Sequence, residues 1–300
     1  MHGALSQAKA PLEFSRPARL QQLVDRAAGE ALAKFADKKL ETNQLALTLV
    51  DLRDVEKPAR ASVRGGEQIY PASVIKLFYL VAAHHWLEDG KLADTEELRR
   101  AMHDMIVDSL NEATGYIVDL LTDTTSGPEL SLDKLEKWYD KRNVVNRYFA
   151  SLGYQNINVN RKPWCEGPYG REIQSVKLHQ PNHRNWLTTD ATARLLTEIV
   201  TGWAVTPERS RQMLELLKRR PFDPKAEPQS REYTGAALPP GAKLWSKAGW
   251  TSEVRHDAAY VELPAGEKFV LVVFTTGHAN EREIIPTVAK AVIVGLTSDK

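Results

Sequence analysis

Strand-type periodicity in this chain is confined to two stretches, one near each end, and a long helical run separates them. Residues 45–52 and 60–64 alternate apolar and polar positions as two strands, and residues 242–249, 255–263 and 268–276 supply three more. An amphipathic pattern over 20–40 precedes the first pair, and 281–296 reads as a closing helix. From 73 to 219 the apolar spacing is mostly helical, with a good start at Thr206-Pro207, where a capping hydroxyl precedes a proline. Strands that come in runs pair antiparallel, so the expected fold class is α+β. It would be an antiparallel sheet built from both chain ends and flanked by helices, with an inserted all-helical lobe. Residues 1–68 and 220–300 would form the discontinuous sheet domain and 69–219 the helical domain, with a cleft between them.

Bulk properties narrow the function. A chain of 300 residues, 42% of them hydrophobic, can bury a sizeable core. Forty Lys and Arg against 39 Asp and Glu leave a formal charge of +1 with no basic stripe, so nucleic acid is not an expected partner. No run approaches the length of a membrane span, and a monomer is expected. The lone Cys165 excludes an internal disulfide and reads as an incidental loop cysteine. Residues 1–17 show no charged-then-apolar signal peptide.

Three short strings carry the chemistry. Ser73-Val-Ile-Lys76 follows a proline-bearing approach and opens the apolar run Leu77-Phe78-Tyr79-Leu80. The same S-x-x-K pattern at Ser6 and Ser131 lacks that helix-start context. Residues three apart share a helix face, so the Lys76 amine can reach the Ser73 hydroxyl. A serine is a weak nucleophile until a neighbouring base takes its proton, and a desolvated lysine can be that base. Ser109-Leu-Asn111 stands at the start of a second helix, where a hydroxyl can pass on a proton and an amide can both donate and accept. Lys247-Ala-Gly249 lies on a strand, where the glycine allows close backbone approach and the lysine offers a cation.

In this order and context the three strings resemble the class A β-lactamase and penicillin-binding protein family, whose motif set is S-x-x-K, S-D-N and K-T-G. The resemblance covers most of residues 17–298, including Glu88-Asp-Gly-Lys-Leu92 after the nucleophile helix and Leu187-Thr-Thr-Asp190 before the helix at 191–196. It implies a serine β-lactamase-like fold and a serine hydrolase with Ser73 as acylated nucleophile and Lys76 as its proton partner. Ser109 would relay a proton to the β-lactam nitrogen, Asn111 would contact the substrate amide, and Lys247 would complete the cationic end. The backbone N–H groups of Ser73 and Trp250, next to Gly249, would form the oxyanion hole, and Arg255 is a candidate carboxylate contact. No cofactor and no metal are implied. His179 and His183 have i,i+4 spacing, but Pro181 between them and the missing HExxH glutamate argue against a metal site.

The resemblance also implies a deacylating glutamate, and in Arg161-Lys-Pro-Trp164-Cys-Glu166-Gly-Pro168 the best match is Glu166, with Glu172 as competitor. Gly170 stands where the family usually has a water-holding asparagine. K-T-G has become K-A-G and S-D-N has become S-L-N, while Trp250 adds bulk beside the oxyanion hole. The interval from Ser73 to Ser109 is short, which lowers one wall of the cleft, and residues 133–146 read as an added helical insertion. The expected function is opening of a β-lactam amide through a Ser73 acyl-enzyme, with an atypical substrate profile or slow deacylation. The alternatives are a penicillin-binding-type D-alanyl peptidase or esterase on a peptidoglycan-like substrate, and a non-catalytic cell-wall binding module. A periplasmic or secreted location and a role in antibiotic resistance are what the resemblance implies.

Overall fold

In a computed structural model, which describes residues 12–164, 167–178 and 184–298, six strands form one antiparallel sheet. The strands are β1 (Leu45–Asp51), β2 (Ala59–Val63), β3 (Lys218–Arg219), β4 (Lys243–Trp250), β5 (Val254–Glu262) and β6 (Lys268–Thr276). Their order is β2-β1-β6-β5-β4-β3, so β1, from the amino-terminal part of the chain, sits against β6 near its end. The α+β class, a sheet built from both ends with helices between, is therefore the observed architecture.

The central strands read as nearly continuous apolar runs because both faces are covered. On β6, Phe269, Leu271 and Val273 face one core cluster with the helices Ala18–Lys34 and Ile284–Thr297. Val270, Val272 and Phe274 face a second cluster, shared with the helical lobe. The helix Lys76–Glu88 lies inside that lobe and is buried on almost every side, as an all-round apolar pattern demands. The helix Thr189–Val200 packs across the lobe-side face of the sheet, where Thr48 Oγ1 bonds Thr189 and Asp190 at 2.8 Å each.

Three sequence expectations are adjusted. The first helix ends at Lys34, not 40, because the Phe35 carbonyl takes the Lys38 and Leu40 amides in a tight turn with Lys39 left-handed. The short strand β3 lies inside the run read as helical; two residues are too few for a periodic signal. The insertion at 133–146 becomes two helices, Leu132–Arg142 and Val144–Ser151.

Candidate active site

Ser73 sits in a 3-10 turn, Ala72–Ile75, that feeds directly into the helix Lys76–Glu88. Ala72 before it has φ +45°, a left-handed conformation that costs energy in a non-glycine residue and presents the serine at a sharp bend. Gly249 explains how β4 approaches that bend. A Cβ there would lie 2.8 Å from the Pro71 oxygen and the Ser73 nitrogen and 2.9 Å from the Val74 nitrogen, closer than real contacts allow. Only a bare backbone fits.

Opposite stands Ser109, itself left-handed at φ +59°, closing a π-helical turn, Asp104–Asp108. Such turns concentrate at functional sites. The buried Lys76 donates to the Ser109 carbonyl at 2.6 Å, to Ser109 Oγ at 3.2 Å and to Asn111 Oδ1 at 2.9 Å. Lys247, also buried, donates to Ser109 Oγ at 2.9 Å, to the Ala248 carbonyl at 2.9 Å and to Gln229 Oε1 at 3.4 Å. One hydroxyl therefore receives two amines. Burial, with Lys76 and Arg219 adding positive charge, holds the Lys247 pKa well below the usual lysine range.

The strand ladder orients the rest. Thr251 N–H donates to the Val254 carbonyl, and alternation along β4 then turns the polar groups of Ser246, Ala248 and Trp250 away from β5. The Ser246 and Ala248 carbonyls do point off that edge, to Arg219 and Lys247. By the same alternation the Trp250 N–H points off the edge that meets the Ser73 turn. The Trp250 side chain, 68% exposed, shares a sheet face with Ala248, opposite to that of Lys247. Arg255 pairs with Trp250 and faces the same way. Its guanidinium bonds Glu232 at 2.6 Å and lies 3.8 Å from the Tyr233 ring centroid. The structure thus brings Ser73, Lys76, Ser109, Asn111, Lys247, Gly249 and the Trp250 backbone together, and commits the Arg255 side chain elsewhere.

Glu166 and Cys165 lie outside the described residues, as do His179 and His183. The loop leading to Glu166 is anchored on both sides. Tyr79, on the helix Lys76–Glu88, donates to the Arg161 carbonyl at 2.6 Å, and Asn111 Nδ2 donates to the Trp164 carbonyl at 3.4 Å. Glu172 is 1% exposed, with Oε1 taken by Arg142 at 2.6 Å and Ser126 at 2.9 Å. Gly170 has φ +49°, and a Cβ on it would collide with the Gly127 carbonyl. No side chain, an asparagine included, fits there.

Sequence reading missed three supports. Arg219 on β3 donates to the Ser246 carbonyl and to Ile106 in the π-turn, tying β4 to the Ser109 turn. Gln229 bridges Lys247 and the Val107 carbonyl, the latter at 2.5 Å. His256 accepts from Thr275 N–H at Nδ1, which leaves Nε2–H to donate to the Tyr70 carbonyl just before the Ser73 turn. A histidine at an inward position of an otherwise apolar strand was the available signal for the last; nothing marked the other two. Among the described residues, one surface group, His103 with Asp104 and Asp108, brings metal-type ligand atoms together, and it is mostly exposed.

The profile of the β-lactamase enzyme family matches residues 29–294. No curated protein matches the sequence. Among solved structures, the chain resembles a β-lactamase from Sphaerobacter thermophilus at 21% identity and TM-score 0.64, covering 93% of this chain and 98% of that one. PBP-A is similar at 20% identity and TM-score 0.67 over 96% and 99%. The TLA-1 extended-spectrum β-lactamase is similar at 15% identity and TM-score 0.66 over 91% and 99%. At such identities the likeness is one of fold.

Proposed function

Since the chain belongs to the β-lactamase enzyme family, we propose that it is a serine hydrolase that opens a β-lactam amide through an acyl-enzyme on Ser73. The observation that carries this reading is the convergence of Lys76 and Lys247 on the Ser109 hydroxyl, across a cleft whose floor is the Ser73 turn and the bare backbone of Gly249. Lys76 stands one helical turn from Ser73, within reach of its hydroxyl, and is the proposed base. Lys76 takes the Ser73 proton as the hydroxyl attacks the carbonyl carbon. The Ser73 and Trp250 N–H groups receive the developing oxyanion. Ser109 then passes a proton to the departing ring nitrogen, replenished from a flanking lysine, and Lys247 faces the substrate carboxylate. Asn111 already spends its amide on Lys76 and Trp164, so it contributes by holding these groups as well as by meeting the substrate.

Deacylation is the weaker half of the cycle. Glu166 is the proposed base, and the packing of Gly170 against Gly127 leaves no room for the amide that would hold its water. A water misplaced by about 1 Å costs roughly a hundredfold. That same observation favours a second reading, a penicillin-binding-type peptidase or esterase that stays acylated by β-lactams. Either activity places the protein in the periplasm or outside the cell, where such substrates occur. No helix among the described residues is long and apolar enough to cross a membrane.

Fluorescent penicillin labelling with intact-mass analysis tests the proposal. One covalent adduct is expected on the native protein and none on Ser73→Ala; an adduct that survives the substitution removes Ser73 as nucleophile. The adduct lifetime separates a lactamase from a peptidase.

A further inference from the structure

Toward the carboxyl end of the helix Lys76–Glu88, a cavity of about 290 Å³ opens between three helices. They are Lys76–Glu88, Glu96–His103 and Pro207–Leu217, which contribute His84 and Leu87, Met102, and Arg209 and Leu216. His84 is 2% exposed, and neither ring nitrogen has a hydrogen-bond partner among the described residues. Buried polar groups without partners are rare and each calls for an explanation. A histidine that merely filled core space would face apolar neighbours; this one lines a cavity that also holds charge.

The charges define what fits. Asp94, on the cavity wall, is already paired with Arg99 at 2.8 Å. Arg209 gives Nε to Glu88 at 2.9 Å and Nη1 to Gln212 at 3.3 Å, which leaves Nη2. Each arginine of the lining therefore has a carboxylate partner, Arg99 with Asp94 and Arg209 with Glu88, and the donors left over are Arg209 Nη2 and the His84 ring. Burial, with Arg209 adding to it, lowers the His84 pKa to about 4, so the ring is neutral near pH 7 and offers one N–H donor. Leu87, Met102 and Leu216 supply an apolar wall beside these donors. An anion with two acceptor oxygens and a short apolar body matches that arrangement: charge-assisted bonds from Arg209 and the imidazole at one end, aliphatic contact at the other. The volume is at the small end of ligand pockets.

We propose that this cavity is a binding site for a small organic monocarboxylate, held between His84 and Arg209, separate from the Ser73 cleft. The assignment stands on this geometry alone and does not depend on the hydrolase reading. Its position matters because the second helix leads into the Ser109 turn and the third into β3 and Arg219.

Benzoate is the probe. In full-length protein with isotope-labelled histidine, benzoate titration at pH 7 should shift the His84 imidazole resonances saturably, with a dissociation constant on the order of 1 mM for a ligand so small. Benzamide, the uncharged isostere, should bind at least tenfold more weakly, and Arg209→Gln should lose at least tenfold for benzoate. Because Arg209→Gln also breaks the Glu88 pair, Met102→Trp provides a second variant. It leaves every charge in place and should abolish the shift by filling the apolar half. Absence of a saturable His84 shift, equal binding of benzamide, or undiminished binding in folded Met102→Trp would each overturn the site.

Discussion

Lys247 on β4 and Ser109 in the helical lobe are joined by a 2.9 Å hydrogen bond across the cleft, and the hydroxyl that accepts it also accepts from Lys76. At the cleft the two lysines, one from the sheet and one from the lobe, share that one oxygen atom. A proton leaving one lysine is therefore felt by the other. Arg219 and Gln229 hold the same two elements in register from behind.

A first consequence concerns pH. Lys247 has a depressed pKa, so its ammonium discharges as pH rises at a value below the free-lysine range of about 10.4. Acylation by an anionic penicillin should therefore fall on the alkaline side earlier than an ordinary lysine would dictate. Lys247→Arg, whose guanidinium stays charged, should move that limb upward. A pH profile of the acylation rate reads this directly, and a limb unmoved by Lys247→Arg would belong to another group.

Gly249→Ala should disable the site with little damage to the fold. The added methyl pushes β4 off the Ser73 turn, and a displacement of about 1 Å can cost a hundredfold in rate. Overpacking of this kind costs about 1–3 kcal/mol in stability. Penicillin labelling rate and thermal unfolding, measured on the same sample, separate the two effects. Near-native labelling would mean that the strand does not need its close approach.

His256 should make the fold acid-sensitive. Burial lowers its pKa from 6.5 to about 4, so the unfolded chain binds a proton that the folded one refuses between those values. Stability is full above about pH 6.5 and falls as pH drops toward 4, by about 3 kcal/mol at most for this group. His84, lowered to about 4 as well, contributes a similar share. A glutamine at 256 can donate to Tyr70 and accept from Thr275 without titrating. Urea unfolding from pH 7 to pH 4 should show a shallower decline in His256→Gln; an identical slope would exclude the residue as a source of the acid sensitivity.

The two acids of the loop should separate in kinetics. Glu166→Ala should spare a burst of chromogenic cephalosporin turnover and abolish the slow phase that follows. Glu172→Gln leaves Arg142 its bond to Asp119 and should lower stability by about 1–3 kcal/mol, the scale of one impaired hydrogen bond to a charged group, without changing the acyl-enzyme lifetime. Rapid-mixing absorbance distinguishes them. A lengthened lifetime in Glu172→Gln, with Glu166→Ala unchanged, would exchange their roles.

Much of this site was legible along the chain. Ser73 and Lys76 are three residues apart at a helix start, and local periodicity is enough to place them on one face. The strands of β1 and β6 announce themselves because residues buried on both faces must be apolar throughout. Ser109, Asn111 and Lys247 were visible as short strings in the order the family uses.

Other features depend on distances that the chain order does not encode. The resemblance implies a backbone role for Trp250 and a carboxylate contact for Arg255; alternation along a paired strand puts both side chains on the face opposite Lys247, and that parity is set only once β4 and β5 are in register. Gly170 looked like a missing asparagine; the nearby Gly127 carbonyl, from a loop 43 residues earlier, forbids any side chain there. Gln229 carries no motif and acquires its role only where β4 meets the π-turn. By itself the sequence determined which residues carry reactive groups and which segments are helix or strand, since both follow from local chemistry and periodicity. Only the tertiary structure decided which of those groups face one another, because that rests on strand register and on long-range packing between segments far apart in the chain.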